Sequence, residues 1–300
     1  MKETLLPSIL LLLVIIVPVT LAFGLVWRAK RLKGTVSPVS EKILRPPGYS
    51  LSLKIEDITD GVIHRMVLPP ILFVLSFSPF LIFRGTISNL SAPWLITLLL
   101  LCLIVMAISV ALSIVCFRRY FITLSNHCLG LRGEWLVAET LSFLLKDGYR
   151  VYHDFPLKDL AKGANIDHIV VGPTGVFAVE TKMRRKHRKV QGKRESHEVE
   201  YDGRHLKFPN FEDDHGIDQA IANAKYLEQF IRKETGIAQP VEPILVLPGW
   251  YVIQKVPGKL QVISHKVVAD RIKKNRNRLD KDKQREICRS IERECRDVVV

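Results

Sequence analysis

The chain has 300 residues, 48% hydrophobic and 25% charged, and its 44 Lys and Arg against 30 Asp and Glu give a formal charge of +14. That length suits a membrane segment plus one domain, or two small domains, and the charge admits nucleic acid or anionic lipid as a partner, beside a topology-setting bias of positive charge. The five cysteines (Cys102, Cys116, Cys128, Cys288, Cys295) form no Cys-x-x-Cys pair, which argues against a zinc ribbon or a disulfide framework and fits a reducing compartment.

The apolar residues concentrate in the first 120 positions. Leu5–Trp27 is an uncharged run of about 23 residues, enough to span a bilayer, and is followed by the basic "RAKRLK" with no small-residue cleavage site before it. Met66–Phe83 is a shorter run interrupted by Pro69, Pro70 and Pro79, a kinked span or a re-entrant segment. Trp94–Phe117 is a third span, closed by Arg118 and Arg119. Segment 28–65 is rich in Lys and Arg, whereas 84–93 carries only Arg84. The positive-inside rule therefore predicts a multi-pass protein of the inner or plasma membrane. In that reading 1–120 is the membrane region with spans near 5–27, 66–83 and 94–117, and 28–65 is a basic cytoplasmic loop. Everything after 118 is also cytoplasmic. The spans hold no acidic or basic residue, so they read as an anchor.

From about residue 129 the pattern changes. "LRGEWLVAETLSFLLKDGY" spaces Leu131, Trp135, Leu136, Leu141, Leu144 and Leu145 as a helix stopped by Gly148. "YRVYHDF" alternates as a strand, and "NIDHIVVGPTGVFAVETK" is two apolar strands around a tight turn. "VEYDGRHLKF" predicts a strand or hairpin at Asp202-Gly203, "GIDQAIANAKYLEQFIRKETG" an amphipathic helix ended by Gly236, and "VEPILVLPGW" and "KLQVISH" further strands. A charged, solvated or partner-binding helix over 266–300 closes the chain. This order predicts an α/β domain at 129–265, a mixed sheet flanked by helices.

The hairpin carries chemistry. If the turn pairs Val171 with Val176, Ile169 lies opposite Ala178 and Asp167 opposite Glu180, with Lys182 on the same face two residues on. Like charges directly opposite destabilise a sheet, and burial makes that worse. The two acids therefore sit at an open edge or share a cation; Mg²⁺, with Mn²⁺ as a substitute, suits carboxylate oxygens. Lys182 beside them could orient a water or stabilise charge developing on a phosphate. The plain alternative is a surface ion pair between Glu180 and Lys182 with Asp167 solvated. His168 alternates to the opposite face and reads as a hydrogen-bonded sheet histidine.

"GEWLVAETL", "NIDHIVVGPTGVFAVETK" and a helix containing "DQAIANAKYL" together resemble the nuclease-related domain family of the PD-(D/E)xK superfamily, which includes restriction endonucleases. The resemblance covers about residues 129–250. It implies a restriction-endonuclease-like fold, with Asp167 and Glu180 as metal-binding acids and Lys182 as the lysine of the Glu-x-Lys motif. It also implies Glu134 as an additional acid and Gln219 as a glutamine near the site. Met183 stands where relatives often have asparagine, and no proline precedes Gln219.

Lys182–Arg194 holds eight Lys and Arg and no acid. Arg184, Arg185, Lys186, Arg188, Lys189, Lys193 and Arg194 read as either a solvated loop or a grip on a phosphate backbone, which would position DNA without reading its sequence. The expected function is a membrane-anchored, Mg²⁺-dependent nuclease acting on DNA. The alternative is a catalytically inactive module of the same fold that binds DNA or a protein partner at the membrane. A structural protein whose basic face meets the lipid bilayer is a third reading.

Overall fold

The computed structural model describes residues 41–61, 91–158, 163–186, 197–256 and 260–299. The chain divides into two compact units, Met1–Pro38 with Ile55–Ser125 and Val39–Lys54 with Asn126–Val300. The expected spans at 5–27 and 66–83 lie outside the described residues. The third lies within α2 (Ala92–Ser142), which follows a helix at 49–61 (α1). Among the described residues α2 is the one helix long and apolar enough to cross a membrane. Its side chains Leu100, Leu101, Ile104 and Ile108 are exposed.

Two predicted elements, the span at 94–117 and the first helix of the domain, are thus one helix. Its C-terminal part buries Val137 and Leu141, while Trp135 stands exposed with its indole N–H on the Pro47 carbonyl. Leu144, just past the helix, is buried, and Leu145 is exposed. Leu145–Asp147 tightens to a 3₁₀ turn, and Gly148 (φ 82°) ends it in the left-handed conformation that glycine adopts most cheaply.

The central sheet of the second unit has five strands in the order β10-β8-β4-β3-β2. They are β2 (Arg150–Pro156), β3 (Asn165–Gly172), β4 (Gly175–Thr181), β8 (Val241–Val246) and β10 (Gln261–Ile263). β2, β3 and β4 run antiparallel, while β8 pairs in parallel with β4 and β10, so the sheet is mixed. Pairing begins at Gly172 with Gly175 and continues through Val171 with Val176 to Ile169 with Ala178, the predicted register. Both faces are covered. Ile169, Val171, Val176 and Ala178 pack with Leu227 and Ile231 of α3 (His215–Thr235). Val170, Phe177 and Val179 pack with Val137 and Leu141. α3 buries Ile217, Ala220, Ala224, Leu227 and Ile231, a helical stripe, and Gly236 (φ 72°) caps it as expected.

A second sheet orders β7-β6-β5-β9. β5 (Glu198–Tyr201) and β6 (Leu206–Lys207) form the hairpin expected at Asp202-Gly203, β7 (Glu212–Asp213) extends it, and β9 (Tyr251–Gln254), not anticipated, pairs in parallel with β5.

The chain ends differ from expectation. The segment read as a basic loop contains β1 (Lys42–Leu44) as well as α1. β1 pairs antiparallel with β11 (Arg296–Val299) at the far end of the chain. The single solvated helix expected over 266–300 is instead α4 (Val268–Lys273), α5 (Lys281–Cys295) and β11. α5 is not a solvated appendage. Ile287, Ile291 and Cys295, four residues apart, are buried in the core beside Tyr152 and Phe155. The Asp280 carboxylate caps its first turn by accepting the Asp282 and Lys283 N–H groups. Truncating a fully buried isoleucine leaves a cavity, so Ile291→Ala is expected to cost about 2–5 kcal/mol, read as a lowered thermal midpoint.

Directly across the β2–β3 ladder, His153 and His168 share a hydrogen bond, Nδ1 to Nδ1, at 2.8 Å. His168 is fully buried and its Nε2 has no partner. One shared proton suffices for this bond, and a second would turn both nitrogens into donors. Burial pushes His153 down to about 4 and His168 well below its usual range. The unfolded chain therefore binds protons that the folded chain refuses between about pH 6.5 and 4. Stability from this pair is complete above the unfolded value and is lost as pH falls. Between pH 7 and 5 the protein should lose about 2 kcal/mol for His153 alone, relative to a His153→Phe/His168→Leu variant in urea unfolding. The site carboxylates described below titrate with the opposite sign and cancel in that comparison.

Candidate active site

At the end of β3 and β4 remote from the turn, the last ladder pair is His168 with Val179. Asp167 and Glu180 are the next residues on the two strands. Instead of continuing the backbone ladder, Asp167 Oδ2 accepts the Thr181 N–H at 2.7 Å. Glu180 takes two side-chain donors. Lys182 Nζ lies 2.7 Å from Oε1, and Asn223 Nδ2 donates to Oε2 at 2.8 Å. Lys182 Nζ also donates to Gln219 Oε1 at 2.8 Å. Gln219 and Asn223 are one turn apart on α3, so a single helix face fixes both the lysine and the glutamate. Sequence reading named Gln219 only through the resemblance and did not single out Asn223, although their four-residue spacing was available.

Glycine makes the close approach of α3 possible. A Cβ on Gly216 would meet Lys182 Cγ at 2.9 Å and the Leu245 side chain at 3.4 Å. On the other side of the sheet, a Cβ on Gly133 would meet Met183 Cγ at 2.7 Å, so the residue that departs from the family pattern is the one packed against α2.

Glu134 comes from the C-terminal part of α2 and is 5% exposed; Asp167 is 6% and Glu180 1% exposed. Burial raises the proton affinity of all three acids, and repulsion from neighbouring acids adds to it at Glu134 and Asp167. Burial pushes Glu134 up to about 8, with Asp154 and Glu180 adding repulsion. Burial, with Glu180 and Glu134, holds Asp167 well above the usual carboxylate range. Glu180 is raised by burial, against which Lys182 and Asn223 work. Glu134 Oε2 and Thr181 Oγ1 are buried with no hydrogen-bond partner. Such a concentration of perturbed carboxyls and orphaned oxygens in a cleft makes it the candidate functional site. The cleft, of about 510 Å³, is lined by these acids and by Lys182, Gln219, Ser50 and Lys54. Among the described residues no three His, Cys, Asp or Glu side chains are gathered closely enough to hold a metal ion.

A further acid lies behind Glu134. Asp154 is fully buried with φ 52°. Its carboxylate accepts from Arg45 Nη1, the Ser50 N–H and hydroxyl, and Asn165 Nδ2, all within 3.0 Å. Nothing in the sequence singled it out, because Arg45 and Ser50 are more than 100 positions away.

Of the basic residues expected to grip a backbone, Arg188, Lys189, Lys193 and Arg194 lie outside the described residues. Arg184 and Arg185 line the cleft, but Arg184 pairs with Asp213. Lys186 Nζ lies 5.6 Å from the centroid of the Trp250 ring.

A mixed α/β fold that gathers buried acids and a lysine at one end of its sheet defines a class of candidate hydrolytic domains. Residues 129–248 match the family model described as "Nuclease-related domain"; that part of the chain is similar to the family, and the similarity points to a nuclease-like function. No curated protein and no solved structure matches the chain.

Proposed function

We propose that the protein is a membrane-anchored, Mg²⁺-dependent nuclease that hydrolyses DNA phosphodiester bonds. The observation that carries this reading is the junction of Asp167, Glu180, Lys182 and Gln219 at one sheet end, beside the buried Glu134. The donor set is all oxygen, and Glu134 Oε2 is an orphaned buried acceptor, so these residues fit a hard divalent cation. Asp167 and Glu180 would hold it as a pair, with Glu134 as the partner of a water on it rather than a third member of a gathered set. When bound, Mg²⁺ supplies Lewis-acid polarisation of the phosphoryl oxygen and acidifies a water. In the hydrolysis a water oxygen bonds to phosphorus, the ester P–O bond breaks, and a proton ends on the leaving oxygen. Lys182, held by Gln219, stabilises the negative charge that develops on the phosphate oxygens. Asn223 fixes the Glu180 carboxylate.

The anchor reading rests on the apolar stretch of α2 and on a pairing in the second unit. Residues that form one ladder share one side of a membrane. The β1–β11 pair therefore supports an even number of crossings between residues 44 and 296. With 94–117 crossing once, that parity would need one more crossing, for which the sequence offers the run at 66–83, a kinked span or a re-entrant segment. Positive-inside bias then assigns the nuclease domain to the cytoplasm and the first span to an outside-to-inside crossing.

The test is cleavage of linear DNA by the purified full chain. Cleavage that appears with Mg²⁺ or Mn²⁺, stops with EDTA and is absent in Asp167→Ala supports the reading. Cleavage that persists unchanged in EDTA or in Asp167→Ala removes it. The occupation of both Glu180 oxygens by Lys182 and Asn223 favours the second reading, a nuclease-fold module that binds DNA or a protein without turnover. DNA binding with no cleavage under any divalent metal would select it.

A further inference from the structure

A second groove lies away from the carboxylate cleft, along the outer edge of the central sheet. β2 is the edge strand, and α5 packs beside it. Between them is a groove of about 910 Å³. Its walls carry Arg150 from the start of β2, Lys281, Arg285 and Arg289 from α5, and Arg296 just beyond the helix. The one acid in the lining is Glu292, and Arg296 Nη2 already pairs with it. Arg285 has an acid neighbour, Asp282, at 3.5 Å, but both side chains are more than 70% exposed, where an ion pair is worth little. Among the described residues Arg150, Lys281 and Arg289 make no ion pair. Five cations thus face a concave surface that supplies one acid.

The spacing is regular. Lys281, Arg285 and Arg289 recur every fourth residue, so they form one row along α5 with steps of about 6 Å. The buried stripe of Ile287 and Ile291 holds the helix so that this row stays exposed. The walls are also tied to each other. Gln284 Nε2 donates to the Gly148 carbonyl at 2.8 Å, and the Tyr152 hydroxyl to the Cys288 carbonyl at 3.3 Å. The groove is therefore formed before anything enters it, and like charges lining a low-dielectric cleft focus their field into it.

We propose that this groove binds the phosphate backbone of a single strand of nucleic acid, as a second contact surface beyond the carboxylate cleft. This rests on the reading that the protein's substrate is nucleic acid. A repeating anion matches a row of evenly spaced cations. A groove of about 910 Å³ has room for a short run of one strand. A lipid surface would instead be met by cations projecting from a flat or convex face. Backbone contacts of this kind add affinity without sequence preference and release counterions.

The test is fluorescence anisotropy of a 5′-labelled 20-nucleotide single-stranded DNA with the purified full chain in detergent and EDTA, over a salt series. Arg285→Gln/Arg289→Gln is expected to weaken binding about tenfold or more and to reduce the slope of log K against log salt by about 1.4, from two lost phosphate contacts. Both side chains are exposed, so the fold is retained, and Arg285→Lys/Arg289→Lys should restore affinity and slope. Unchanged affinity and slope in the glutamine variant overturn the proposal. So does a glutamine variant that loses binding to vesicles of phosphatidylserine and phosphatidylcholine while still binding the oligonucleotide as the parent does. The two readings fail separately. Groove-dependent DNA binding by a chain that never cleaves removes the nuclease and keeps the groove. Metal-dependent cleavage with groove-insensitive binding does the reverse.

Discussion

Lys182→Ala is expected to lower the rate of DNA cleavage by about 10²- to 10³-fold, the scale of removing one preorganised donor from a developing oxyanion. The lysine is 19% exposed and its ammonium is held by Glu180 and Gln219. An interaction made only as charge develops on phosphate lowers kcat and kcat/KM together and leaves KM nearly unchanged. A variant whose KM rises while kcat stays constant would instead make Lys182 a substrate anchor. The same substitution leaves the Glu180 carboxylate with Asn223 as its remaining partner, which raises its proton affinity further, so the thermal midpoint should be measured beside the rate. Gln219→Ala is expected to fall in the same direction by less, because it frees the ammonium to move without deleting it.

Asp154→Ala is expected to destabilise the second unit by about 3–5 kcal/mol, the scale of breaking a buried ion pair from one side. The substitution removes an acceptor from Arg45, Ser50 and Asn165 at once. It also places alanine at φ 52°, a conformation that aspartate and asparagine tolerate better. Asp154→Asn keeps that tolerance and one acceptor oxygen and should lose less. Thermal unfolding of the three proteins orders them parent, Asn, Ala. Equal midpoints for parent and Ala would mean that Asp297, the other partner of Arg45, carries the contact alone.

What could be read from the sequence was local. The two-residue turn at Pro173-Thr174 fixes the hairpin register, and the register alone brings Asp167 and Glu180 to the same end of the sheet. Alternation sent His168 to the other face, but not to His153, because that pairing needs the β2–β3 register, which no tight turn sets. The Gly236 stop and the apolar stripe of α3 were visible for the same local reason. What stayed hidden was long-range. Arg45 and Ser50 looked like part of a basic loop, because a three-residue strand has no periodicity to detect. The burial of α5 was masked by its charges, although Ile287, Ile291 and Cys295 already stood at helical intervals. Arg184 looked like a free cation, since the β6–β7 pairing that presents Asp213 is two residues long on each strand.

The ladder between β1 and β11 sets the order in which the chain can finish folding. Arg45 and its partner Asp297 are 252 residues apart in sequence, so this pair cannot close until residue 297 has left the ribosome. The apolar stretch of α2 emerges long before that. During synthesis it must be handled while the second unit still lacks α5 and β11, and while Asp154 has Arg45 and Ser50 in reach but no completed sheet to bury it. The stretch is therefore an insertion within a domain rather than a tail attached to one. Exchanging it for another segment would have to preserve the distance and direction between residues 54 and 126, not merely its hydrophobicity.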